Sequence, residues 1–364
     1  MKRCPGLAIL IALFASVVWS GAAKAAVNFD DRNHCRADSC DSTSSASMTK
    51  TCEDGNSATG ACQTRDPVPN QDLHALFLFT NVDRKPDLQA KFSICIESLF
   101  RHLELPTGAR LTLHFVADPG SKAYGEKFLQ AWQRPGVRFV FHDKDEWTAK
   151  IFPIVEDMQK HFSSGKGSYY NDSIFFLSLG MHRILPPEIE RIAKLDFDTR
   201  FETNLYLLFR EFDRFGGENL IGLGPELQPV YRHVLWKYRA AHPGTRFGSP
   251  LPAGLPGFNS GVTLLDVGRM RRSEAFNRAL TPEAVAALVE KYGFKGHLGD
   301  QDFYTLLSFE HEELFYKLDC GWNRQLCTWW QDKGYQEVFD AYHQCPSPVR
   351  IYHGNCSTPI PDGR

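Results

Sequence analysis

The sequence predicts an α/β fold, a mostly parallel, doubly wound sheet in one large domain over residues 72–364. Three observations predict it. Short, largely apolar runs recur at 74–80, 111–117 and 137–141, as strands covered on both faces require. Between the first two, apolar residues fall at helical spacing: Phe92, Cys95, Ile96, Leu99, Phe100 and Leu103. Strand and helix then alternate, which implies parallel strands joined by right-handed crossovers. With 364 residues, 43% hydrophobic and 13% aromatic, the chain is ample for such a core.

Two segments precede that domain. Lys2 and Arg3 lead into a mostly apolar run over 4–23, which at roughly 20 residues is long enough to span a bilayer. Positive charge before the run keeps the N-terminus in the cytoplasm and sends the body across. Ala23-Lys24-Ala25 also fits a small-x-small cleavage site. Residues 1–27 are therefore a signal-anchor or a signal peptide, and both lead into the secretory pathway. Residues 28–71 are poor in large apolar side chains and rich in Ser, Thr, Asp and Gly, the composition of a flexible luminal stem. Its Cys35, Cys40, Cys52 and Cys62 have no assignable pairing.

The elements follow in order. Strand 74–80 precedes helix 88–102. Strand 111–117 stops at Asp118-Pro119-Gly120, and helix 125–132 precedes strand 137–141. Residues 168–179 and 186–193 read as helices leading into a strand over 194–200. Helix 204–215, strand 219–223 and helix 225–241 come next, then a Pro/Gly-rich loop over 242–256. Strand 258–267 holds Gly261, and glycine inside a strand marks a bulge or a close approach. Helices 269–279, 282–292 and 299–309 lead to a tail of short elements from residue 318.

Lys and Arg total 41 against 43 Asp and Glu, with no basic stripe, which excludes nucleic-acid binding. Of ten cysteines, Cys320, Cys327, Cys345 and Cys356 crowd into the tail. In an oxidising compartment they read as disulfides, with three pairings open. Cys95, inside a helical apolar pattern, reads as a buried thiol. Two sequons, at Asn171 and Asn355, both lie near residues expected at the site.

In residues 194–200, Lys-Leu-Asp-Phe-Asp-Thr-Arg, an extended backbone turns Asp196 and Asp198 to one side and Phe197 to a core. Two carboxylates at the carboxyl end of a strand can hold a hard divalent ion. That end of an open α/β sheet is also where ligands bind.

The motifs then resemble a known family. Leu195-Asp196-Phe197-Asp198, Phe258-Asn259-Ser260-Gly261-Val262, Gly299-Asp300-Gln301-Asp302 and His353-Gly354 follow the order and rough spacing of family-8, GT-A-fold retaining glycosyltransferases. Three further stretches, at 228–233, 318–330 and 351–361, resemble a xylose-transferring branch of that family. The likeness runs from about Leu73 onward and leaves out the stem. It implies a single GT-A catalytic domain with a disulfide-stapled C-terminal region. It also implies a type II membrane protein of the endoplasmic reticulum with a luminal catalytic domain, a soluble luminal or Golgi protein being the alternative. UDP-xylose would be the donor, and xylosyl-glucose on EGF-like repeats, as in Notch, the acceptor. The tail after His353 departs from the family by lacking a Lys-Pro-Trp, and with it one diphosphate contact.

The resemblance assigns Asp196, Asp198 and His353 as metal ligands. Two carboxylates and an imidazole suit Mn2+ better than Mg2+. Phe79, Thr80 and Asn81 would hold the uracil, with Asn259 and Ser260 at the donor sugar and diphosphate. Gln301, a poor nucleophile, argues against double displacement and would position the sugar in a front-face reaction. Asp300 would bond donor hydroxyls or cap a helix. Trp329 would face the acceptor sugar while Trp330 packs inward, with Tyr231, His233 and Asn355 bordering the acceptor. Of the disulfide pairings, Cys320–Cys345 and Cys327–Cys356 are expected. The competing readings are a glucoside xylosyltransferase or other luminal hexosyltransferase, and an inactive glycan-binding protein.

Overall fold

The computed structural model describes residues 72–164 and 171–361. The segments expected to be anchor or signal peptide and stem, and the start of the helix expected at 168–179, lie outside the described residues. Among the described residues no helix is long and apolar enough to cross a membrane.

The chain runs β1 (Asp72–Phe79), α1 (Pro86–His102), β2 (Arg110–Ala117), α2 (Pro119–Leu129), β3 (Val137–Asp143), α3 (Lys144–Lys150), α4 (Phe152–Phe162), α5 (Leu177–Ile184), β4 (Arg191–Leu195), β5 (Thr199–Phe201) and α6 (Leu205–Phe209). It continues with β6 (Ile221–Pro225), α7 (Val230–Val234), α8 (Trp236–Ala241), β7 (Phe258–Asp266), α9 (Val267–Arg272), α10 (Glu274–Ala279), α11 (Pro282–Tyr292), α12 (Asp300–Glu310), β8 (Phe315–Lys317), β9 (Arg324–Gln325), α13 (Gln336–His343) and β10 (Ile351–His353).

Seven strands form the main sheet in the order β3-β2-β1-β4-β7-β6-β8. All run parallel except β7, which is antiparallel to both neighbours. Alternate side chains feed two cores. Ala75, Phe77 and Phe79 join Phe92 and Phe115, while Leu76 joins Trp147 and Met158. A second, three-stranded sheet, β5-β10-β9, stitches the tail onto the carboxyl end of β4.

The structure corrects several expectations. The region expected to be a helix over 186–193 is a turn followed by β4, because Ile192 and Ala193 are claimed by the sheet and Ala75 pairs with Ala193. β2 ends before Asp118-Pro119-Gly120 as expected, but the same three residues open α2 at once, so that the helix expected over 125–132 starts at Pro119. The Asp118 carboxylate accepts from Ser121 N, and Pro119 sits in the first turn, where its missing N–H is no loss. The helix expected over 225–241 is two short ones, α7 and α8, and Pro225 belongs to β6. Helices α3 and α4 were not read from the sequence at all. The tail cysteines pair as Cys320–Cys345 and Cys327–Cys356. Cys95 is a buried free thiol whose Sγ lies 3.5 Å from Thr199 Oγ1.

Candidate active site

β4 ends at Leu195, and Asp196–Asp198 form a bend beyond it instead of a continuing strand. Both acids still face one side, because Phe197 packs edge-on against Phe79 and Phe92. His353 arrives by strand pairing. β10 lies antiparallel to β5 with His353 opposite Thr199, and Gly354 N donates to the Asp198 carbonyl at 2.8 Å. The His353 Nε2 atom is thereby 3.3 Å from Asp198 Oδ1 and 3.6 Å from Asp196 Oδ2. Two carboxylates and one imidazole nitrogen, all within 4.8 Å of one another, form a donor set that suits a divalent ion.

Gly261 explains how the ring fits. A Cβ at that position would lie 2.2 Å from His353 Cε1. The strand register also jumps there, since Leu223 pairs with Thr263 but Gly224 with Asn259. The bulge and the close approach expected of this glycine are both present.

Two lysines that belong to no functional motif balance the acids. Lys91, from α1, donates to Asp198 Oδ2 at 3.2 Å and to the Gly354 carbonyl at 2.8 Å. Lys194 is buried and donates to Asp300 Oδ2 and the Ser260 carbonyl, both at 3.1 Å, with Asp196 Oδ1 at 3.9 Å. Burial works against the Asp198 charge, but His353 and Lys91 outweigh it and hold the carboxyl down at about 2. Burial also opposes a charged His353, and the facing carboxylates of Asp198 and Asp196 reverse that and raise its pKa.

Asp300 caps nothing; its carboxylate turns inward. Oδ1 accepts from Ser260 Oγ at 2.9 Å, and Oδ2 from Ser178 Oγ at 2.6 Å and from Lys194. Gln301 is 7% exposed and accepts from Ser260 N at 3.2 Å. Its amide NH2 and that of Asn259 both donate to Glu226 Oε2, at 3.2 and 3.1 Å. Glu226 is a further buried residue without a sequence motif.

The residues expected to hold the uracil are at the carboxyl end of β1, where Phe79 is wholly buried. Asn81 takes a left-handed backbone, φ 60°, and its N–H donates to Asp118 Oδ2 at 2.7 Å. Of the residues expected at the acceptor, Trp329 is 54% exposed, while its neighbour Trp330 packs against His233 and Tyr335. His233 lies at the surface beside the Tyr335 hydroxyl, 2.7 Å away. Asn355 uses its side-chain oxygen to hold the Leu326 and Cys327 N–H groups. Tyr231 is a correction: its ring is fully buried and its hydroxyl donates to Asp302 Oδ1 at 2.9 Å, so it is core and borders no open face. Trp236, on α8, is 60% exposed and was not singled out as a site residue.

No family model matches the chain. It is 51% identical to human Xyloside xylosyltransferase 1 over 295 residues, 80% of this chain and 75% of that one. Chicken Xylosyl- and glucuronyltransferase LARGE1 is 28% identical over 262 residues, 70% of this chain and 31% of that one. The crystal structure of mouse Xyloside xylosyltransferase 1 in its apo form superposes with a TM-score of 0.77 at 50% identity, covering 80% of this chain and 100% of that one.

Proposed function

The chain belongs to the xyloside xylosyltransferase family, of GT-A fold, and from that premise we propose that it moves xylose from UDP-xylose to the outer xylose of xylosyl-glucose on EGF-like repeats. The observation that carries this reading is the convergence of Asp196, Asp198 and His353, whose ligand atoms all lie within 4.8 Å of one another.

Those three side chains would hold Mn2+, or Mg2+ in its place. A bound cation supplies Lewis-acid neutralisation of the departing diphosphate. The chain's own residues do the rest. Phe79, Thr80 and Asn81 receive the uracil through backbone groups and the Thr80 hydroxyl. Lys91, already between Asp198 and Gly354, supplies a cationic group where the tail carries no lysine after His353. Lys194 and Asp300 fix Ser260 against the donor, and Glu226 and Asn323 hold Asn259 beside it.

The reaction we propose retains configuration. The acceptor hydroxyl attacks the anomeric carbon from the face that UDP leaves. The sugar–phosphate bond breaks as the new glycosidic bond forms, and the hydroxyl proton passes to the departing phosphate oxygen. Gln301 holds the sugar beneath the developing cation. Trp329 offers a flat apolar face to the acceptor sugar, with His233 and Asn355 at its border. Two disulfides in the tail fit an oxidising lumen, consistent with a domain tethered in the endoplasmic reticulum by residues 1–27.

A donor screen with UDP-xylose and UDP-glucose tests the proposal, on glucosylated and xylosyl-glucosylated EGF repeats, with and without Mn2+. Transfer is expected only from UDP-xylose to the xylosyl-glucosylated repeat. Asp198→Asn should lower it by about 100-fold or more while leaving the protein folded, as removal of a single electrostatic contributor does elsewhere. Transfer to the glucosylated repeat instead would make the chain a glucoside xylosyltransferase. Glycan binding without turnover would make it a lectin-like protein.

A further inference from the structure

We propose that Glu226 is a positioning residue: its carboxylate anchors one end of a directed hydrogen-bond chain through Asn259 and Asn323 that fixes which nitrogen of His353 faces the acidic pair, and the same carboxylate fixes the amide of Gln301. The inference rests on the metal-dependent transferase reading above.

The polarity of the chain follows from groups that cannot be reversed. Asn259 Oδ1 accepts from the backbone N–H of Gly261 at 3.1 Å. Its other amide end must therefore be the NH2, which donates to Glu226 Oε2 at 3.1 Å. Asn323 meets the Asn259 side-chain oxygen at 2.9 Å and the Asn259 carbonyl at 3.2 Å. Both are acceptors, so that end of Asn323 is its NH2. Its oxygen is left for His353 Nδ1, 3.0 Å away. Nδ1 must then carry a hydrogen, and Nε2 keeps its lone pair toward Asp196 and Asp198 whenever the ring is neutral. Outer partners of this kind set the tautomer of a ligating imidazole.

Glu226 itself is held in place. It is 2% exposed. Its backbone N–H donates to the Gly257 carbonyl at 2.9 Å. Gln325 clamps both flanks, accepting from Leu227 N and donating to the Pro225 carbonyl, each at 2.9 Å. The side chain accepts three N–H donors, Gln228 N on Oε1 and the Asn259 and Gln301 amides on Oε2. Gln301 is oriented the same way, since its oxygen already accepts from Ser260 N.

A carboxylate buried without a directly bonded cation is costly, and burial pushes the Glu226 pKa up to about 7 against the pull of its donors. A glutamine would fill the same volume without charge. It could not do the same work, because donors approach both oxygens. Whichever way a glutamine amide turned, its NH2 would face an N–H.

Glu226→Gln and Asn323→Leu test this, with Mn2+ binding measured by calorimetry and initial rates measured with UDP-xylose and a xylosyl-glucosylated EGF repeat. Melting curves establish folding. For Asn323→Leu we expect Mn2+ affinity to fall about 10- to 100-fold, the usual range for outer partners of a metal ligand, with kcat recovering at saturating Mn2+. For Glu226→Gln we expect a smaller loss of affinity and a kcat deficit of about 10-fold or more that saturating Mn2+ does not repair, because Gln301 is displaced as well. A folded Glu226→Gln protein with unchanged Mn2+ affinity and kcat would overturn the proposal. If that variant does not fold, unchanged Mn2+ affinity in Asn323→Leu does so. Failure of the wild-type protein to bind Mn2+ or transfer xylose would instead remove the reading on which the proposal rests.

Discussion

The imidazole of His353 occupies the volume that any side chain at Gly261 would need, with the ring's Cε1 2.2 Å from where a Cβ would stand. Gly261→Ala should therefore push the ring away from Asp196 and Asp198. The expected outcome is a loss of Mn2+ affinity of about 10- to 100-fold, with destabilisation of about 1–3 kcal/mol from overpacking. Calorimetric titration and a denaturant melt measure the two separately. An alanine variant with native Mn2+ affinity would mean that the ring does not ligate.

The Cys327–Cys356 bond joins the segment before Trp329 to the loop that follows His353. Removing it with the double substitution Cys327→Ser/Cys356→Ser opens a link with a sequence separation of 29 residues, which in the chain-entropy picture is worth about 3–4 kcal/mol. Beyond the lowered Tm, the Mn2+ Kd and the acceptor KM should both rise. If the variant folds and neither constant moves, the disulfide only braces the tail and does not couple the two sites.

Trp329 and Trp330 meet edge-on, with ring centroids 4.9 Å apart, yet only Trp330 packs against the core. Trp329→Ala should raise the acceptor KM about 10-fold, the scale of losing one aromatic contact, and leave Tm and Mn2+ affinity alone. Trp330→Ala should lower Tm. The reverse pattern would exchange the roles of the two rings.

Three imidazoles cross the strands β1, β2 and β3. His74 Nδ1 lies 3.1 Å from His114 Nε2, and His114 Nδ1 lies 2.9 Å from His142 Nε2. Each contact needs one nitrogen without a proton, so the row is built for neutral rings. Burial pulls all three below the ordinary 6.5, His142 to about 4 and His114, further repelled by its two neighbours, to about 3. The unfolded chain protonates these rings at the ordinary value, so below it the unfolded state binds more protons than the native one. Stability from the row is present above pH 6.5 and is lost as the pH falls from there toward about 3. Thermal melts across that range should show Tm falling on the acid side, with a shallower slope in His114→Leu. An equal slope in the variant would assign the acid sensitivity to other groups.

Much of this was legible in the chain because the signal was local. Apolar runs gave β1, β2 and β3, and Asp196-x-Asp198 and His353-Gly354 stood out as short motifs. Lys91, Lys194, Glu226 and Asn323 carried no such mark. Each is a single polar residue in an ordinary setting, and only pairing between distant strands gives it partners. The turn ahead of β4 was misread for a related reason. Ile189, Ile192 and Ala193 suit a helix face as well as a strand, and the choice was made by β1 lying alongside. Tyr231 was expected at the acceptor border because of the resemblance over 228–233, and that stretch says nothing about the buried Asp302 that claims its hydroxyl.

The pairing of β10 with β5 has one more consequence, for how molecules that fold correctly are told from those that do not. A chain whose tail has docked wrongly still presents Asp196 and Asp198, but no imidazole opposite them. Such a species grips a cation poorly, so adding one draws the population toward the fully closed form by mass action. An ion held there would also act as an inspector of assembly, rewarding only chains in which β10 has found β5.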